Sequence, residues 1–135
     1  MNYKIIDIEG IGPSHAHRLS RLQIIDTKSL LDTAAGPAGR DRVATGCGVP
    51  TRTVLGWVNK ADLMRIKGIG SEYADLLEAA GVETVLELRH QDPAALASGL
   101  AEANEVRRLT RRVPSAKVVG RWVASANALE PVVTH

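Results

Sequence analysis

Ile8-Glu9-Gly10-Ile11-Gly12-Pro13-Ser14-His15-Ala16-His17-Arg18-Leu19 aligns without a gap to Ile66-Lys67-Gly68-Ile69-Gly70-Ser71-Glu72-Tyr73-Ala74-Asp75-Leu76-Leu77, 58 positions later. The glycine and apolar positions coincide. Glycines on both sides of an isoleucine permit backbone angles that other residues resist, so one short helix can stop and the next begin within a tight turn. Ile11 and Ile69 are expected to plug the gap between the paired helices. Ala16 and Ala74, small and four residues beyond the second glycine, let those helices approach closely.

The correspondence continues outward from the turns. After a one-residue slip, Asp26-Thr27 followed by Leu31 matches Glu83-Thr84 followed by Leu88. Val49-Pro50-Thr51, Val54 and Trp57-Val58 echo Val113-Pro114-Ser115, Val118 and Trp122-Val123. The chain therefore carries one unit of about 64 residues twice, with insertions inside the unit. Two halves, 1–60 and 61–135, are expected to pack on a shared core.

Apolar residues recur at three-to-five-residue steps (Leu63, Ile66, Ile69, Ala74, Leu77), and alternating β-branched runs are scarce, so each unit reads as helical. Pro13, Asp92-Pro93, Pro50-Thr51 and Pro114-Ser115 are helix starts, because proline at the first helical position gives up an N–H that has no partner there anyway. These signals predict helices near 3–8, 13–22, 27–35, 39–46, 51–60, 62–67, 71–80, 84–90, 93–103, 105–112 and 115–128. The fold class is all-α.

The pattern apolar-x-Gly-Ile-Gly-x-x-x-Ala-x-x-Leu resembles the helix-hairpin-helix family of DNA-binding modules. That resemblance implies two tandem helix-hairpin-helix repeats in a pseudo-symmetric helical domain. It also implies that hairpin amides and the N-terminus of the second helix hold a phosphate oxygen, as the unpaired N–H groups and the helix dipole would allow. Such binding ignores base sequence. The tandem arrangement, with a tryptophan-bearing helix after each hairpin, is also similar to an uncharacterised bacterial domain-of-unknown-function family, over roughly residues 5–128.

Composition sets the bounds. The 135 residues are 44% hydrophobic, enough for a sizeable interior without a covalent staple. The single cysteine, Cys47, excludes an intramolecular disulfide and a cysteine-based zinc cage, and suits a reducing cytoplasm. No apolar run approaches the roughly 20 residues of a membrane helix. Net charge is only +2, but it is unevenly spread. Residues 1–60 hold 8 Lys/Arg against 5 Asp/Glu, residues 61–104 hold 3 against 8, and residues 105–135 hold 6 against 2. An acidic middle between basic ends implies that any phosphate-facing surface is built from the ends.

The candidate DNA-binding residues follow from these patterns. In the first copy they are Gly10, Ile11, Gly12, Ser14, His15, Arg18 and Arg21, with Ser14, His15, Arg18 and Arg21 on or near one exposed face. In the second they are Lys67, Gly68 and Gly70, with Arg65 nearby, opposed by Glu72, Asp75 and Glu78. If residues 105–112 are helical, Arg107 and Arg111, and Arg108 and Arg112, share stripes at i, i+4 spacing. The competing reading pairs these arginines with the acidic block at 72–87. Trp57 and Trp122 are expected in the core, and Tyr73, in the solvent-facing stretch of the second hairpin, is expected to be partly buried against its neighbours.

Catalytic chemistry finds no foothold. A dinucleotide fingerprint needs a third glycine where His15 and Tyr73 stand, and no Walker-type Gly-Lys-Ser/Thr occurs. His15 and His17 lie two apart and diverge on a helix, a poor metal pair. Cys47, between Gly46 and Gly48, reads as an exposed thiol with no local base, and His135 sits on a tail expected to be mobile. The expectation is a non-enzymatic binder with no cofactor or metal. Its first candidate partner is double-stranded DNA, bound through Gly10–Arg21 with help from the C-terminal arginines; the alternative is a protein-interaction or scaffold module.

Overall fold

In the computed structural model, which describes residues 1–135, helix starts follow the small polar and proline signals. Helix α1 (Pro13–Arg21) opens after Gly12, α2 (Thr27–Ala34) after Asp26, α3 (Pro37–Cys47) after Gly36, and α4 (Thr51–Leu63) after Pro50. Helices α5 (Ser71–Ala79), α6 (Val85–Leu88), α7 (Pro93–Arg107) and α8 (Ala116–Ala128) follow Gly70, Thr84, Asp92 and Ser115. Asp26, Thr84, Asp92 and Ser115 each accept an N–H of the first helical turn. The chain is all-α, its only β-type pairing being an isolated bridge between Lys4 and Asp26.

Three expected helices are altered. Residues 3–8 form only a 3₁₀ turn, Ile5–Asp7. No separate helix occupies 62–67: α4 runs across the expected boundary between the halves 1–60 and 61–135 to Leu63, and turns lead into the hairpin. Residues 105–112 are not a helix either. Helix α7 continues unbroken from Pro93 to Arg107 and stops at Arg108, whose φ of 50° and ψ of 48° are left-handed. That residue points the chain away from the helix axis, so the shared stripes of Arg107 with Arg111 and Arg108 with Arg112 do not form.

The two copies follow the same local course. Gly10 and Gly68 have φ of 96° and 95°, a region L side chains resist. The N–H of Ile11 donates to Ile8 O and that of Ile69 to Ile66 O, each at 3.0 Å. The amide of Ile24 reaches back to Leu19 O, as Val82 does to Leu77 O. The 58-residue offset therefore continues unbroken through the next helix start: the N-caps Asp26 and Thr84 correspond, as do the fully buried Leu30 and Leu88. The one-residue slip read from the sequence is corrected, since the capping hydrogen bond fixes register where similar side chains do not. In the same way Val119, fully buried like Val54, takes the place assigned to Val118.

Helix pairings recur too. Helix α1 packs on α3 and α5 on α7; α2 packs on α4 and α6 on α8; α3 packs on α4 and α7 on α8, with α4 against α5 joining the halves. One cluster of 30 buried residues spans both halves and includes Trp57 and Trp122, 4% and 3% exposed. The indole Nε1 of each tryptophan faces the left-handed glycine of its own hairpin, Gly10 or Gly68. The C-terminal tail is bonded, not loose: Thr134 N–H donates to Ala35 O, and the buried Arg40 donates to Ala35 O and Thr134 O. Arg40 has no carboxylate partner; carbonyls at the negative end of α2 take its place.

Candidate functional site

At both hairpins a helix starts without a side-chain cap, at Gly12 for α1 and Gly70 for α5. The N–H groups of Gly68 and Gly70 find no acceptor within the protein, nor do those of Gly10 and Gly12. Unpaired amides at the positive end of a helix are the elementary requirement for holding an anion. The surroundings of the two hairpins then separate them.

Around the first hairpin, most of the cations already have partners. Arg18 donates from Nη1 to Cys47 O at 2.7 Å, closing the end of α3. Lys60 Nζ lies 3.0 Å from Asp75 Oδ1 and donates to Glu9 O, bridging the two hairpins. His15 packs against Trp57 with ring centroids 5.3 Å apart and ring planes tilted by 54°. Ile11 is buried in the core, and its N–H donates to Ile8 O. Ser14 and Arg21 are exposed and unpaired; the exposed Glu9 precedes this hairpin, while Asp7, also exposed, lines the cleft beside the second.

The second hairpin has a different neighbour. A cleft of about 710 Å³ is lined by Gly68, Gly70, Ser71, Tyr3, Arg111 and Arg112, among others. Tyr3 OH donates to Ile69 O at 3.4 Å, and Ser71 Oγ accepts the N–H of Glu9, so both hairpins meet at its floor. Tyr73 is half-buried, as expected, against Trp122 with ring centroids 5.2 Å apart and planes tilted by 57°, repeating the His15–Trp57 contact. Glu72 lines this cleft and an adjoining one of about 870 Å³ that includes Arg108, Arg111 and Glu105.

None of Arg107, Arg108, Arg111 and Arg112 lies within ion-pair distance of a carboxylate, and all four are exposed. The expected pairing with the acidic block at 72–87 therefore does not occur. Lys67 is likewise exposed and unpaired. Arg65 is not available: it grips the buried Asp62 through Nε and Nη2, while the other oxygen of Asp62 accepts the N–H of Val85 at the start of α6. The site that emerges joins Gly68, Gly70, Arg111 and Arg112. Gly10, Gly12, Ser14, His15, Arg18 and Arg21 do not line that cleft.

Nothing in the sequence marks Tyr3, Thr110 or Asn104 for this site. Thr110 lines both clefts, and Asn104 the second. Comparing where α3 and α7 end locates the signal. Left-handed caps close both helices, at Gly48 and Arg108, but α4 begins three residues after its cap and α8 eight residues after its own. The extra five residues are the loop that carries Arg111 and Arg112.

Cys47 is fully buried, contrary to the exposed thiol expected. Burial pushes its thiol pKa up, against a smaller downward pull from Arg18, so it is held in the unreactive thiol form.

A family model for a domain of unknown function, DUF4332, matches residues 9–129. The chain belongs to that family. No curated protein and no solved structure matches it. Membership fixes the extent of the domain, covering both hairpins and both tryptophan helices, and leaves its chemistry to be argued from the site. No helix is long and apolar enough to cross a membrane.

Proposed function

We propose that this DUF4332 protein binds the backbone of double-stranded DNA without reading base sequence and without catalysis, working in the cytoplasm. The reading takes each glycine hairpin as a helix-hairpin-helix unit and makes the second, not the first, the principal contact. One observation carries it: Arg111 and Arg112, exposed and free of carboxylate partners, line the same cleft as the uncapped start of α5 at Gly68–Ser71. Unpaired amides and guanidinium groups converge where a phosphate would sit. Asp7 and Glu72 line the same cleft and oppose this; Arg108 in the adjoining cleft and the exposed, unpaired Lys67 and Arg107 add positive charge around it. The first hairpin adds Ser14, His15 and Arg21 at the margin.

The test is a titration of labelled duplexes of unrelated sequence at low and moderate salt. The parent is expected to bind all of them alike, with Kd on the order of 10⁻⁴–10⁻⁶ M and a steep loss as salt rises. Arg111→Glu with Arg112→Glu should abolish binding and flatten the salt dependence, whereas Arg21→Glu should weaken it only slightly. No binding by the folded parent at low salt would sink the proposal. A protein partner with a basic surface would then stand in front, a second reading supported by Glu72, Glu78, Glu83 and Glu87, all exposed and none in an ion pair.

A further inference from the structure

The loop that presents the arginines has no regular secondary structure, yet it is held from within. Asn104, on the last turn of α7, accepts the N–H of Thr110 at Oδ1 and donates from Nδ2 to the carbonyl of the same residue, each at 3.0 Å. One side-chain amide thus satisfies both backbone groups of a single loop residue, as a neighbouring strand would. Asn104 O also accepts the N–H of Arg108 at 2.9 Å, closing the helix. Thr110 Oγ1 then donates to Arg112 O at 2.8 Å, passing the constraint to the next arginines. Leu109 packs against the core and Pro114 is buried, so the loop is pinned at both ends while Arg108, Arg111 and Arg112 remain exposed.

We infer that Asn104 is a positioning residue that preorganises Arg108, Arg111 and Arg112 for phosphate contact. The inference rests on the DNA-backbone reading above. A free loop of this length would have to be ordered on binding, and fixing the backbone of a single residue costs roughly a tenfold change in an equilibrium constant. Asn104 makes that ordering part of folding, so the arginines are already in place when DNA arrives. It makes no phosphate contact itself. Its removal lowers affinity without changing how many counterions binding releases.

The experiment compares the parent, Asn104→Ala, Thr110→Val and the double variant Arg111→Ala/Arg112→Ala in the duplex titration over a range of salt, with amide hydrogen exchange on each. In Asn104→Ala, exchange at Thr110 should accelerate at least about tenfold while amides of α4 and α8 keep their protection. Affinity should fall about three- to tenfold at fixed salt, with the salt slope of the parent retained. The double arginine variant should lose slope as well as affinity. Thr110→Val leaves α7 intact, removes only the bridge to Arg112, and should lose affinity about twofold with the slope unchanged, which keeps the inference testable if Asn104→Ala does not fold. Parent-like affinity in folded Asn104→Ala, or in Thr110→Val where the former does not fold, overturns the inference and leaves the DNA-backbone reading standing. A reduced slope in Asn104→Ala also overturns it, because the residue would then carry contacts itself. A folded parent that binds no duplex overturns both.

Discussion

The two halves share a hairpin, an uncapped helix start, a buried isoleucine plug and a tilted aromatic contact on tryptophan, yet they differ in what surrounds the turn. In the first half, Arg18 closes α3 and Lys60 bridges to Asp75, so the cations nearest the hairpin are structural. In the second, a five-residue extension between α7 and α8 brings free arginines to the hairpin cleft. On the proposed function, the shared backbone motif becomes a site only where neighbouring chain supplies unpaired charge, which makes the second hairpin the principal contact and the first mainly a scaffold.

The largest expected effect tests whether the halves are equivalent in their core. Trp57→Ala and Trp122→Ala should each cost roughly 3–5 kcal/mol, measured by denaturant unfolding, because both rings are buried and each packs against its own hairpin glycine. Unequal costs, with one near zero, would break the comparison. A smaller effect exposes where the halves diverge. Gly39 and Ala95 are the third residues of α3 and α7, but a Cβ on Gly39 would lie 1.8 Å from Thr33 O. Gly39→Ala should cost about 3 kcal/mol, whereas Ala95→Gly, on an exposed helix surface, should cost about 0.5–1 kcal/mol. Similar values for the two would show that α2 and α3 are not as closely apposed as described.

The smallest effect concerns acid. Asp26 and Thr84 cap corresponding helices, but only Asp26 titrates; hydrogen bonds from Ser29, first its hydroxyl and then its amide, hold the Asp26 carboxyl below the ordinary carboxylate range. A depressed folded-state pKa means that the stabilisation is complete above the unfolded value near 4 and is lost as pH falls through the folded value. Asp26→Asn should therefore reduce the loss of stability below about pH 4, by no more than about 1 kcal/mol, the usual worth of a side-chain cap. Thr84→Ala should lower stability equally across that range. An unchanged acid profile in Asp26→Asn would remove this distinction between the halves.

Much of the fold was legible because its signals are local. Pro13, Pro93, Asp26 and Ser115 mark helix starts through hydrogen bonds spanning three residues, and the paired Gly-Ile-Gly turns require positive φ at Gly10 and Gly68, which a single residue type announces. Helix ends were harder to read. Arg108 adopts a left-handed cap with no glycine to signal it, so the run Arg107–Arg112 reads as a continuous basic helix. The cap is fixed by Asn104 and Thr110, whose pairing becomes visible only once the loop has closed.

The sequence by itself determined the all-α class, the internal duplication, the two hairpins and the buried tryptophans, because periodicity, capping and glycine chemistry act within a few residues. Tertiary structure alone decided which charges are free. Arg18, Arg65 and Lys60 look as available in the sequence as Arg111 and Arg112, but the first three meet Cys47 O, Asp62 and Asp75, residues brought to them by packing or by a helix end. Whether a cation is a bolt or a binding group depends on what lies within about 4 Å of it, and side-chain identity does not encode that distance.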